Sequence, residues 1–251
     1  MRILKDVNYS KDHREDCTLD AYIPDCENYA TFVYMHGGGL INGDKGYDGE
    51  RLANYFIERG VAIVSLNYRM YNNAKYPEFI EDCAEAIKWV KDNVQPKDGK
   101  LFVGGSSAGG YLSMMLCFDS SYFEAVGLTA DDIDGYIHDA GQPTAHFNVL
   151  TERGIDSRRI IIDESAPLYH IGKAAKYPPM LFMWSDNDME NRHEQLMLTI
   201  STLRHFRYDM STVETIIRHG GHCHYLLSGE DKSQFEFSSL VAPFIEKYSK
   251  V

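Results

Sequence analysis

The chain has 251 residues, 44% of them hydrophobic, and its 25 Lys plus Arg against 37 Asp plus Glu leave a formal net charge of −12. That length and apolar share suffice for one large domain with its own core, taken here as residues 1–251. The acidic balance argues against a nucleic-acid binder, which needs a basic face for phosphates, and against attraction to an anionic membrane surface. No stretch approaches the ~20 consecutive apolar residues of a membrane span.

The first ten residues, MRILKDVNYS, hold no long apolar run, so no signal peptide is read. The cysteines are Cys17, Cys26, Cys83, Cys117 and Cys223, an odd set without paired spacing. Such a set gives no sign of a disulfide framework, and a reducing, cytoplasmic location is expected.

Val7–Tyr9 and Thr18–Ile23 predict an antiparallel edge hairpin. Short apolar runs follow at Thr31–His36, Val61–Asn67, Lys100–Gly104, Pro179–Ser185 and Ser211–Ile217. Near-continuous apolar strands imply a sheet covered on both faces, as parallel sheets are. Between them, Pro77–Val94 predicts a helix with Pro77 at its first position and Ile80, Cys83, Ile87, Val90 and Val94 on one stripe. Tyr111–Phe118 predicts another helix, and Gln234–Ser249 a last one, with Pro243 as a kink. The alternation predicts a βαβ architecture with a mostly parallel central sheet flanked by helices. Asp139–His170, after a strand-like run at Ile133–Ile137, is too long for a plain connection. It reads either as a small insertion covering a site or as a surface loop with a helical turn.

Gly104-Gly105-Ser106-Ser107-Ala108-Gly109-Gly110 carries the most chemistry. Gly105, Ser107 and Gly109 form G-x-S-x-G between a strand and a helix, the context that holds a serine hydroxyl exposed on a strained turn. A phosphate loop would need Gly-Lys-Ser/Thr and a dinucleotide fingerprint G-x-G-x-x-G; neither is present. Ser106 falls outside the frame and is read as packing. His36-Gly37-Gly38-Gly39 ends the Thr31–His36 strand. Glycines there let backbone N–H groups approach a developing oxyanion, and the expected donors are Gly38, Gly39 and Ala108. His36 is expected to order the loop rather than act as a base.

Together these motifs resemble the α/β-hydrolase family, and within it the small HGGG carboxylesterases and acetyl esterases of the hormone-sensitive-lipase-like and formamidase-like branches. Leu19-Asp20-Ala21-Tyr22-Ile23-Pro24, Asn67-Tyr68-Arg69 with Tyr76-Pro77 and Glu81-Asp82, Ser165-Ala166-Pro167-Leu168, and Pro178-Pro179-Met180-Leu181 extend the likeness over nearly the whole chain. The resemblance implies an α/β-hydrolase fold and a serine nucleophile followed in the chain by an acid and a histidine. The turn Ser185-Asp186-Asn187-Asp188 resembles the family's Gly-x-x-Asp, with serine in place of glycine, and points to Asp188; Asp186 and Glu190 are rivals, or all three are solvated helix caps.

His219-Gly220-Gly221-His222-Cys223-His224 follows the last strand, where family position favours His222 over His224 and His219. The cluster also admits a zinc reading, set aside because metal ligands usually come from separate elements. Neither metal nor cofactor is expected.

The resemblance implies hydrolysis of short-chain carboxylic esters, acetyl to butyryl, through an acyl-enzyme, with acetylated carbohydrate as one candidate donor. No segment matches the N-terminal cap of larger relatives, so a small or open acyl pocket is expected. The alternatives are an arylformamidase-like or peptidase-like amidase with the same triad and, from another class, a hydrolase-fold binding protein without catalysis. The expected partner is a small-molecule ester; monomer or homo-oligomer is left open.

Overall fold

The computed structural model describes residues 1–226 and 236–250. Eight strands form one sheet: β1 (Arg2–Asn8), β2 (Thr18–Ile23), β3 (Ala30–Met35), β4 (Val61–Leu66), β5 (Leu101–Ser106), β6 (Gly135–Asp139), β7 (Met180–Ser185) and β8 (Val213–Arg218). Their order is β1-β2-β4-β3-β5-β6-β7-β8. β1 pairs antiparallel with β2, and β2 with β4; β4, β3, β5, β6, β7 and β8 run parallel. The helices are α1 (Gly49–Phe56), α2 (Glu78–Asn93), α3 (Ala108–Phe118), α4 (Ser121–Ala125), α5 (Phe147–Glu152), α6 (Pro167–His170), α7 (Arg192–His205) and α8 (Glu236–Ser249). Among the described residues no helix is long and apolar enough to cross a membrane. All five cysteines are free.

Both sheet faces are covered, as the apolar runs require. On β3, Val33 and Met35 join one core with Ile80, Ile87 and Val90 of α2 and Leu112 and Met115 of α3. Phe32 and Tyr34, which alternate with them in sequence, join the other core with Phe56 of α1 and Phe237, Val241 and Phe244 of α8. Strand alternation thus divides one hydrophobic segment between two layers.

Several boundaries differ from expectation, two of them at the site. The helix after β5 starts at Ala108, not Tyr111, because Gly109 and Gly110 are not loop residues. A Cβ on Gly109 would come within 2.0 Å of the Met35 carbonyl oxygen, so the first turn of α3 lies against β3 where a side chain has no room. β6 ends at Asp139 rather than Ile137, its last two residues being the polar but fully buried His138 and Asp139. β8 begins at Val213, since Asp209 caps a turn through Met210–Thr212. Elsewhere β1 is longer than the predicted Val7–Tyr9, and Pro77 stands just before α2. Pro243 lies inside α8, whose predicted start at Gln234 is outside the described residues.

Candidate active site

Ser107 links β5 to α3 with φ 56° and ψ −111°, a conformation that L-residues with side chains rarely adopt. Its surroundings leave no alternative. Its N–H donates to the Asp139 carbonyl at 2.8 Å. A Cβ on Gly105 would lie 2.4 Å from the Met35 carbonyl oxygen, so the glycines of the motif let the turn nest between β3 and β6. The hydroxyl projects at the carboxyl end of the parallel strands, where open α/β sheets form their clefts.

Three residues from three segments meet there. Ser107 Oγ lies 2.8 Å from His222 Nε2, and His222 Nδ1 lies 2.5 Å from Asp188 Oδ1. The Asp188 side chain is 1% exposed, that of His222 26%. Asp188 also accepts the Met189 N–H at 2.7 Å and, more weakly, the Ser185 N–H at 3.4 Å. Burial works against its charge, but the bond and charge of His222, the Met189 amide and the nearby Arg192 guanidinium outweigh it, so the carboxyl titrates below the usual range.

The rivals lie elsewhere. Asp186 is bonded to the exposed His219 at 2.8 Å and to the Gly220 N–H at 3.0 Å, closing the base of the loop. Glu190 is exposed. His224 Nδ1 faces Ser185 Oγ at 3.2 Å. The three histidines therefore turn to three different partners, and among the described residues no cluster of His, Cys, Asp or Glu is arranged to hold a metal.

Gly37, Gly38 and Gly39 run beside the Ser107 turn: a Cβ on Gly37 would stand 3.3 Å from Ser107 Cβ. Gly38 has φ 115°, and its carbonyl accepts the N–H groups of Ile41 and Asn42, which closes a tight turn. Gly39 has φ 66°. Ala108 opens α3, where a backbone N–H has no acceptor within the helix. His36 stacks on Tyr68 with ring centroids 4.6 Å apart, and its Nδ1 lies 2.6 Å from the Gly37 carbonyl. Burial lowers its pKa, so the ring is neutral at pH 7. Ser106, read as packing, is buried and accepts a hydrogen bond from Tyr34 at 3.1 Å.

Several residues at the site carried no signal in the sequence. Asn148 of α5 donates to the Gly39 carbonyl at 2.5 Å and so holds the glycine loop from the far side. Arg192, 4% exposed, donates to the Ala140 carbonyl. By contrast Arg69 and Asp82, both within segments that carry the resemblance, clamp each other with bonds of 2.8 and 2.9 Å and fix the loop after β4. The 139–170 segment packs against that loop, with Tyr71 bonded to Glu152 at 2.8 Å and Tyr76 to the Glu164 carbonyl at 2.9 Å. Two clefts flank the site. One of about 550 Å3 lies between Ile41, Tyr71, Ala74, Asn148 and Thr151. The other, about 280 Å3, lies between Gln142, Phe147, Arg158, Met189 and Arg192.

Comparison with known proteins agrees with this architecture. The BD-FAE family model matches residues 19–143, from β2 through the Ser107 turn to just past β6. Esterase LipC of Mycobacterium tuberculosis is 24% identical over 203 residues, 68% of this chain and 47% of LipC. Esterase LipI of the same organism is 30% identical over 96 residues, 37% of this chain and 30% of LipI. The chain thus spans half or less of the length of these curated relatives. Among solved structures, Esterase B from Lactobacillus Rhamnosis (HN001) superposes with TM-score 0.76 at 17% identity, covering 99% of this chain and 86% of its own. A truncated carbohydrate esterase from gut microbiota gives 0.73 at 18% identity, covering 100% and 97%. Propionate-bound Est2 of Thermogutta terrifontis gives 0.75 at 20% identity, covering 98% and 93%. Sheet order and these structural neighbours give the chain the α/β-hydrolase fold, and its sequence is similar to the BD-FAE family across both glycine motifs and to esterases over part of its length.

Proposed function

We propose that the protein is a serine carboxylesterase that releases short acyl groups, acetyl to butyryl, through an acyl-enzyme. The observation that carries this reading is the continuous chain from Ser107 Oγ to His222 Nε2 at 2.8 Å and from His222 Nδ1 to Asp188 Oδ1 at 2.5 Å. A serine hydroxyl is a weak nucleophile at neutral pH, and this geometry supplies the base it lacks. His222 takes the proton as Ser107 Oγ bonds to the ester carbonyl carbon. Asp188, kept ionised, fixes the imidazole and stabilises its cation. The carbonyl oxygen gains negative charge facing the N–H groups of Gly38, Gly39 and Ala108, each donor contributing roughly 10²- to 10³-fold in rate. His222 then returns the proton to the leaving alcohol. Water attacks the acyl-enzyme by the same sequence and frees the acid.

Support for short acyl groups comes from the neighbours. Est2 is described with propionate and with butyrate bound, and Esterase B with a tributyrin phosphonate. The gut carbohydrate esterase, which shares the fold over the whole chain, supports a carbohydrate ester as one candidate substrate, and acetylated carbohydrate is the form we propose. We read the 139–170 segment as a small insertion beside the site, since Asn148 reaches the glycine loop and the clefts open at its edges.

A p-nitrophenyl ester series from acetate to decanoate, run on the wild type and on Ser107→Ala, tests the proposal. Turnover confined to the short esters and lost in the variant is the expected result. Activity retained in Ser107→Ala overturns the assignment. Turnover of N-formylkynurenine in preference to every ester would replace it with the amidase reading.

A further inference from the structure

Asp139 is unusual for a buried carboxyl. It is fully buried at the end of β6. One oxygen accepts the hydroxyl hydrogen of Tyr225, and the Ser106 hydroxyl also acts on the carboxyl; Oδ2 has no hydrogen-bond partner among the described residues. Its main-chain carbonyl receives the Ser107 N–H at 2.8 Å. Tyr225 lies three residues past His222, in the short turn His224–Leu226 that completes the histidine loop.

That loop is anchored by the buried side chains of Cys223 and Tyr225, by Asp186 at its base and by a few bonds around His222. Gly220 has φ 138° and Cys223 φ 51°, so its backbone is irregular on both sides of His222. Before His222 it is tied to the acid turn by the Asn187 N–H on the Gly220 carbonyl at 3.1 Å. After His222 the ties are His224 to Ser185 and Tyr225 to Asp139. The second of these reaches the residue that also holds the Ser107 backbone. A displacement of about 1 Å between reacting groups costs on the order of a hundred-fold in rate, so a bond that sets this spacing has leverage on turnover.

We propose that Asp139 and Tyr225 are positioning residues that register the His222 loop against the Ser107 turn, their hydroxyl–carboxyl bond fixing the Ser107–His222 distance. The proposal rests on Ser107 and His222 being the working pair. It concerns the bond rather than the charge, so an amide at position 139 serves as well as the acid.

The test measures kcat and KM on p-nitrophenyl acetate for Tyr225→Phe, Asp139→Leu and Asp139→Asn, with rates expressed per folded protein from near-UV circular dichroism. Tyr225→Phe and Asp139→Leu should lower kcat about ten- to a hundred-fold with KM nearly unchanged. Asp139→Asn, whose amide oxygen still accepts the Tyr225 hydroxyl, should stay within about three-fold of the wild type, a loss of under about 1 kcal/mol of transition-state stabilisation. Tyr225→Phe removes a single oxygen and carries the test if Asp139→Leu does not fold. Wild-type kcat per folded molecule in Tyr225→Phe, with only thermal stability reduced, would overturn the proposal. So would an Asp139→Asn as slow as the other two. Ser107→Ala in parallel separates the levels: turnover in that variant overturns the esterase reading itself, and this one with it.

Discussion

Ser107 and His222 face each other across 2.8 Å but are held by opposite means. Ser107 leads into α3, a helix whose every residue is buried, and its turn is pressed between β3 and β6 at glycines that tolerate no side chain. His222 rides a loop in which His219 is 95% exposed and the backbone turns through two positive φ angles. Close packing fixes the first, because any shift collides with backbone. A handful of polar ties, beside the buried Cys223 and Tyr225, fixes the second: Asp186 to Gly220, Asp188 to His222, Ser185 to His224 and Asp139 to Tyr225. Changes at the turn should therefore act through folding, and changes at the loop through rate.

Asp188→Asn strains that contrast most. It preserves shape but removes the charge that orients and stabilises the imidazolium. A fall in kcat of about a hundred- to ten-thousand-fold, with KM and melting temperature close to wild type, is expected from steady-state kinetics and calorimetry. A matching collapse in stability would mean that the loop is held as the turn is, by packing. Because Asp188 titrates below the usual carboxylate range, the acid limb of the wild-type pH profile should not be set by this residue.

Asp139→Asn sharpens the comparison with a smaller effect, on stability rather than rate. Burial pushes the Asp139 carboxyl up to about 7 against 3.8 for a free one, while the Ser106 and Tyr225 hydroxyls pull it partly back. The group is protonated in the folded chain and ionised in the unfolded chain between these values. Unfolding then releases a proton, so the stability it contributes is complete below about pH 4, declines as pH rises and is gone above about pH 7. Replacing the acid by an amide removes that decline. Thermal unfolding should give a melting temperature several degrees above wild type at pH 8 and a smaller gain at pH 5. An equal change at both pH values would show that Asp139 is ionised throughout.

The turn and the glycine loop were legible in the sequence because the constraint is local: where backbone meets backbone the residue must be glycine, and the glycines stand together at Gly37–Gly39 and Gly104–Gly110. The strands were legible as apolar runs, and their parallel direction followed from the alternation with helices; the order in which they pair did not. Asp139 was not. The strand was read as ending at Ile137 because His138 and Asp139 are polar, and Asp139 was assigned to the excursion instead. Nor could Asn148, Arg192 and Tyr225 be found, since each acts on a residue 109, 52 or 86 positions away. Such contacts leave no periodicity and no motif, and only the fold brings them together. His222 against His224 shows the same limit: two positions apart on one loop, they are told apart by Ser107 and Ser185, the partners that the sheet presents to them.

The most direct measurement of the central claim is covalent. The wild type and His222→Ala are incubated with a p-nitrophenyl alkylphosphonate, and the adduct is located by intact mass and peptide mapping. One adduct per chain, on Ser107, forming at least about a hundred-fold more slowly in His222→Ala, is the expected result. An adduct on any other residue, or equal labelling rates in the two proteins, would contradict the assignment of Ser107 and His222 as nucleophile and base.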